Sequence, residues 1–132
     1  MVLAGNWGRI VRLEAANGQT TWLTLIKEQT IELIRMREFP DAPSRFLALF
    51  MFAAQAELTN YLVQKPFDVG YEVELVDPSV PVHRTDMAAY ESISPTDSLT
   101  LMEPKARAYW STATPVKPEL LTTSAVRILR CC

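Results

Sequence analysis

Histidine occurs once, at His83, and cysteine only as the adjacent terminal pair Cys131 and Cys132. A zinc centre of the usual Cys/His kind needs several such ligands around one point, so no metal site is expected. Neighbouring cysteines rarely bridge one another, because the geometry is strained, and a pair at the tail is not a disulfide framework. The four glycines are scattered, which excludes a Walker loop and a dinucleotide fingerprint. No run of Lys or Arg supplies a phosphate-binding stripe and the net charge is -2, so nucleic acid is not expected as a general partner. No apolar stretch reaches the roughly eighteen residues of a membrane span, and the N-terminus lacks the basic region and uninterrupted apolar core of a signal peptide. A cytoplasmic protein without a membrane partner is expected. Nor is there a nucleophilic triad, since the lone His83 has no glycine-rich elbow beside a serine.

What is present fits one folded domain over residues 1–132, with 48% apolar and 21% charged residues, enough for a real core. The chain is organised around Phe39-Pro-Asp-Ala-Pro-Ser-Arg-Phe-Leu-Ala-Leu-Phe-Met-Phe52. Its prolines remove backbone donors and fix φ, so Phe39 to Pro43 is a stiff turn. The apolar run Phe46 to Phe52 behind it reads as a buried strand.

Elsewhere the pattern alternates between two periods. Gly5-Asn-Trp-Gly8 reads as a turn, Arg9 to Leu13 as a short strand or extended segment, and Asn17-Gly18 as a second turn. Thr21 to Glu38 has helical spacing, with Trp22, Ile26, Leu33 and Met36 or Arg37 on one inward face, widened by Leu25 and Ile34. Glu28, Glu32 and Arg35 fall on its wetter side, and Pro40 stops it. Ala53 to Val63 is a second helix, turned inward through Leu58, Tyr61 and Leu62. Tyr71 to Val76 alternates as a strand, and Val80 to His83 resumes as a short edge piece after Pro78. Arg84 to Asp97 is either a functional loop or partly helical around Met87 to Tyr90. Leu101 to Thr112 forms a helix with Pro104 in its first turn and Ala106, Tyr109 and Trp110 inward. The end of the chain reads as two short strands, Glu119 to Leu121 and Val126 to Leu129, joined by a tight turn. The expected class is α+β, a split, mostly antiparallel sheet with two or three helices.

Candidate chemistry follows from these placements. Ser44 and Arg45 stand at the mouth of a core strand, where a hydroxyl and a five-donor fork are presented rigidly; the plainer alternative is a turn-capping serine and a surface ion pair. Glu119 opens the last strand pair, where a carboxylate can meet a ribose hydroxyl or balance positive charge, although many such glutamates are merely solvated. Trp7, between glycines, is a poor core residue and a reasonable platform for a planar ligand, whereas Trp110 reads as core.

Gly5-Asn-Trp-Gly-Arg-Ile10, Ile34-Arg-Met-Arg-Glu-Phe-Pro40, Pro43-Ser-Arg-Phe46, Tyr71-Glu-Val-Glu-Leu75, Ala108-Tyr-Trp110 and Glu119-Leu-Leu121 together resemble an uncharacterised bacterial and phage family of the DUF2441 type. Its layout looks like the ADP-ribosyltransferase fold, a split sheet clasping NAD. That resemblance implies NAD as substrate, with Glu119 binding the nicotinamide ribose and stabilising the oxocarbenium-like state. It implies Arg45 against the pyrophosphate beside Ser44, and Trp7, Asn6 or Tyr109 packed by an NAD ring. Such enzymes usually carry an NAD-gripping histidine or arginine on a first strand, while this chain reaches Gly5-Asn-Trp almost at once, through either a truncated start or a lost strand. Lys117 stands two residues before Glu119, where arginine-modifying members have a glutamate, so arginine is not the expected acceptor. The competing reading is a non-catalytic interaction module, for example a phage-encoded inhibitor of a host protein, which an exposed apolar patch around Trp22 and Phe39 would favour.

Overall fold

A computed structural model describes residues 1–5, 7–11, 22–94 and 96–132. Asn6, the Asn17-Gly18 turn and the Thr21 start of the first long helix lie outside them. Residues 7–11 (α1) are followed by α2 (Trp22–Glu38), β1 (Leu49–Met51), α3 (Gln55–Gln64), β2 (Tyr71–Leu75), β3 (His83–Asp86), α4 (Met87–Glu91), α5 (Leu99–Ser111), β4 (Pro118–Thr122) and β5 (Val126–Cys131). The architecture is α+β. Its strands form two antiparallel sheets, one ordered β1-β4-β3 and one pairing β2 with β5.

The core lies between α2, α5 and the three-stranded sheet, built on Ile31, Ile34, Ala48, Ile93, Met102, Ala106, Tyr109, Trp110 and Leu121. Trp110 satisfies its indole N–H by donating to the Ile31 carbonyl at 3.1 Å, which ties α5 to α2 through a buried aromatic. Phe39 packs against this core from the proline turn. Behind Pro40 the chain turns tightly, and Arg35 Nη1 donates to the carbonyls of Pro40 (3.3 Å) and Ala42 (2.9 Å).

Five expectations are corrected. Residues 7–11 are helical, not a turn and extended segment: Trp7 and Val11 are one helical turn apart, and Val11 is buried. Gly8 makes this possible, because a Cβ there would sit 2.4 Å from the Phe46 carbonyl oxygen; Gly5, at φ +88°, supplies the turn before it. Of the face of the long helix expected inward, Ile34 is buried as expected but Trp22, Ile26, Leu33 and Met36 are exposed, and Glu28, Thr30 and Ile31 are buried in their place. The organising strand shortens to Leu49–Met51. Pro104 lies inside α5 rather than in its first turn, because the helix begins at Leu99.

The fifth correction bears most on the site. β4 and β5 are not a hairpin: β4 runs between β1 and β3, while β5 leaves to pair with β2. The connection turns on Ser124, whose N–H donates to Thr122 Oγ1 at 3.1 Å and whose hydroxyl oxygen accepts from Asp77 N–H at 3.1 Å. With both edges of β4 occupied, β5 must find its partner elsewhere. The stretch after β2 resolves into β3 and α4, joined at Asp86. That carboxylate accepts from the N–H of Ala88 at 3.0 Å, of Lys117 at 2.9 Å and of Val116 at 3.2 Å. It caps α4 and pins the entry to β4.

Candidate functional site

Between the two sheets opens a cleft of about 1780 Å³, lined among others by Trp7, Arg45, Phe50, Tyr90, Glu119 and Ile128. It is a broad, open groove, larger than the roughly 300–1,000 Å³ of drug-sized ligand pockets.

Its inner wall is a buried charge cluster centred on Arg45. The proline turn stops the chain short of β1 and aims the guanidinium inward, leaving Arg45 only 5% exposed. Its Nε donates to Glu28 Oε2 at 2.8 Å and its Nη2 to Glu28 Oε1 at 3.1 Å, the two-point fork that guanidinium and carboxylate geometry favour. Its Nη1 donates to Glu119 Oε1 at 2.9 Å and also to the Tyr109 hydroxyl. The guanidinium carbon lies 4.3 Å from the ring centre of Tyr90, 4.6 Å from that of Phe50 and 5.0 Å from that of Tyr109. These ring faces attract a cation shielded from water.

Glu119 is fixed from one side. Tyr109 donates its hydroxyl proton to Glu119 Oε1 at 2.6 Å, and Thr85 Oγ1 reaches the same oxygen at 3.4 Å. Together with Arg45, all three contacts fall on Oε1; among the described residues no hydrogen bond reaches Oε2. Trp7 completes the far side, its indole N–H donating to Glu28 Oε1 at 3.1 Å.

The electrostatics follow from burial and charge. Burial opposes the charged form of Arg45, but Tyr109, Glu28 and Glu119 outweigh it and hold the guanidinium's pKa well above its ordinary value. Burial pushes the Tyr109 phenol up, opposed by Arg45 and helped by Glu119. The Tyr90 phenol is raised likewise, by burial and then by Glu28. Lys27, whose Nζ lies 3.7 Å from the Tyr90 ring centre, is lowered chiefly by burial. Two carboxylates therefore share one permanent cation at the cleft wall. Such an arrangement specifies geometry more than it adds net stability, because desolvating the three ions offsets their attraction.

Of the residues singled out from sequence, Arg45, Tyr109 and Glu119 meet directly, and Trp7 joins them through Glu28. Arg45 holds carboxylates and a phenol where the resemblance implied a pyrophosphate. Ser44 serves its own turn, its hydroxyl oxygen accepting from Phe46 N–H at 3.3 Å. Sequence reasoning missed Glu28, Tyr90 and Thr85. Glu28 was legible in principle, since it lies three residues before Ile31 on the Ile31–Ile34 side of α2. Among the described residues, no group of three or more His, Cys, Asp or Glu side chains gathers as a metal site.

The fold and site thus define an α+β protein with a large inter-sheet cleft and a buried Glu-Arg-Glu cluster on its wall. The chain belongs to the family described as "Protein of unknown function (DUF2441)", which it matches over residues 8–131. No curated protein matches it. No described helix is long and apolar enough to cross a membrane.

Proposed function

We propose that the cleft binds NAD and that the protein cleaves its nicotinamide–ribose bond, as an ADP-ribosyltransferase or NAD glycohydrolase. The observation that carries this reading is the one-sided fixing of Glu119: Arg45, Tyr109 and Thr85 hold Oε1, so Oε2 is the oxygen available to a ligand in the cleft that Glu119 lines. A carboxylate held in advance at a partly desolvated wall can accept a hydrogen bond from a ribose hydroxyl. It also stabilises positive charge as that charge develops, without reorganising.

In the reaction the bond between ribose C1′ and the nicotinamide nitrogen breaks, and its electron pair leaves with nicotinamide, which becomes neutral. The positive charge remaining on the ribose faces Glu119. Water or an acceptor then supplies the new bond at C1′ and loses a proton. Arg45 acts here as a positioning residue rather than a phosphate contact, because both faces of its fork are occupied. Room for the remainder of the dinucleotide comes from the cleft volume, and Trp7, Phe50 and Tyr90 offer aromatic surface along it.

Incubation with labelled NAD, scored for free nicotinamide, tests this directly. Wild type is expected to release nicotinamide and Glu119→Gln to lose at least about a hundredfold in turnover, the scale of one removed transition-state contact. Absence of both nicotinamide release and NAD binding by the folded wild type would refute it.

A further inference from the structure

The turn between α3 and β2 sets three dissimilar side chains on the rim of the cleft. In Lys65-Pro-Phe-Asp68 the proline fixes φ at the second position, and Asp68 N–H donates to the Lys65 carbonyl at 3.0 Å, which closes a stiff reverse turn. The ring of Phe67 is held out in water, 96% exposed. Lys65, Phe67 and Asp68 all line the cleft. Of the three cations that line it, Arg45 is held by Glu28 and Glu119, and Arg130 by Glu72; among the described residues Lys65 has no ion pair. Asp68 Oδ2 accepts from the Tyr61 hydroxyl at 3.2 Å, and among the described residues no hydrogen bond reaches Oδ1.

Resting on the NAD reading above, we propose that this turn is the subsite for the adenosine diphosphate half of NAD, and that Asp68 makes the cleft select NAD over NADP. The three side chains match the three parts of that half. An ammonium without a partner attracts phosphate as a point charge. An exposed aromatic face stacks on the adenine, as it can on any planar base. A carboxylate with a spare oxygen accepts hydrogen bonds from the ribose diol. Selectivity comes from that same carboxylate, because the 2′-phosphate of NADP replaces a donor by an anion, and a like charge set against it rejects the wrong ligand. Lys65 meets the pyrophosphate that both dinucleotides share, so discrimination falls to Asp68. The turn is already closed, which keeps the ordering cost of binding low.

Calorimetric titration of the full chain with ADP, NAD and NADP is the test. ADP is expected to bind wild type and Glu119→Gln alike, because it carries no nicotinamide ribose. Phe67→Ala and Lys65→Ala, both at exposed positions, should each weaken ADP at least about fivefold, the scale of one lost base stack or phosphate contact, with the melting temperature unchanged. In the Glu119→Gln background, where cleavage does not intervene, NAD should bind at least about tenfold more tightly than NADP. Adding Asp68→Asn, which keeps an acceptor for Tyr61 and removes the charge, should narrow that ratio to within about threefold. ADP binding indifferent to both Phe67→Ala and Lys65→Ala overturns the subsite. So does a wild type that releases nicotinamide from NAD and does not bind ADP; cleavage at Glu119 survives either result. NADP bound as tightly as NAD, or a ratio that Asp68→Asn leaves unchanged, overturns the selectivity. A folded chain that binds neither NAD nor ADP removes both the subsite and the NAD reading beneath it.

Discussion

Arg45→Ala is the perturbation that most directly interrogates the buried cluster. Removing the guanidinium strands Glu28, which is fully buried, and Glu119, 6% exposed; it also takes a donor from Tyr109. Breaking a buried ion pair by deleting one partner costs about 3–5 kcal/mol, and here two carboxylates lose the same partner, so the upper end applies. Stability of a domain this size is of order 5–15 kcal/mol, and each kcal/mol moves the melting temperature by about 3–5 °C. The expected drop is therefore about 15–25 °C at neutral pH. Thermal melts of wild type, Arg45→Ala and Arg45→Met/Glu28→Gln/Glu119→Gln at pH 7 provide the assay. The triple variant, which removes all three charges, should recover much of the loss. A melting temperature within about 2 °C of wild type for Arg45→Ala would refute the cluster's structural role and return Arg45 to the status of a dispensable ligand contact.

Gly8→Ala should destabilise by about 1–3 kcal/mol in urea titration, since the added methyl meets the backbone of Phe46 at 2.4–2.9 Å and backbone cannot swing aside. Stability should fall as the pH rises above about 10, the ordinary tyrosine value. There the unfolded chain releases the Tyr109 and Tyr90 protons while the folded one, with both pKa values raised, keeps them. The stabilisation is complete below that pH and is lost toward the folded values by up to about 1.4 kcal/mol per pH unit per phenol. Tyr109→Phe should flatten this slope in alkaline urea melts, and an unchanged slope would count against it.

The secondary structure was legible where one local period dominated. Strict alternation located β2, and helical spacing with Pro40 behind it located α2. What the local pattern could not supply was which side of α2 faces inward, because Trp22, Ile26, Leu33 and Met36 outnumber Ile31 and Ile34. The choice is made by Arg45, seventeen residues from Glu28, which converts an acid into an interior group. The pairing of Arg45 with Glu119 spans seventy-four residues, and its components were found only because each stood at the rim of a core element. The separation of β4 from β5 was hidden for the same reason: a short Thr-Thr-Ser-Ala connection reads as a hairpin until Asp77 N–H, just past β2, claims the Ser124 hydroxyl oxygen.

That separation has a consequence for motion. The β2–β5 ribbon keeps its strands together through its own ladder, which Val76 N–H extends by donating to the Ala125 carbonyl at 2.9 Å, and through the exposed pairs Arg127–Glu74 and Arg130–Glu72, both at 2.6 Å; the chain passes to it from β4 through residues 123–125. Its amides should exchange with deuterium well before those of β4, whose Leu121 and Thr122 are fully interior. A molecule bridging both walls would slow exchange along β2 and β5, so isotope uptake can find an occupant of the cleft before its chemistry is identified.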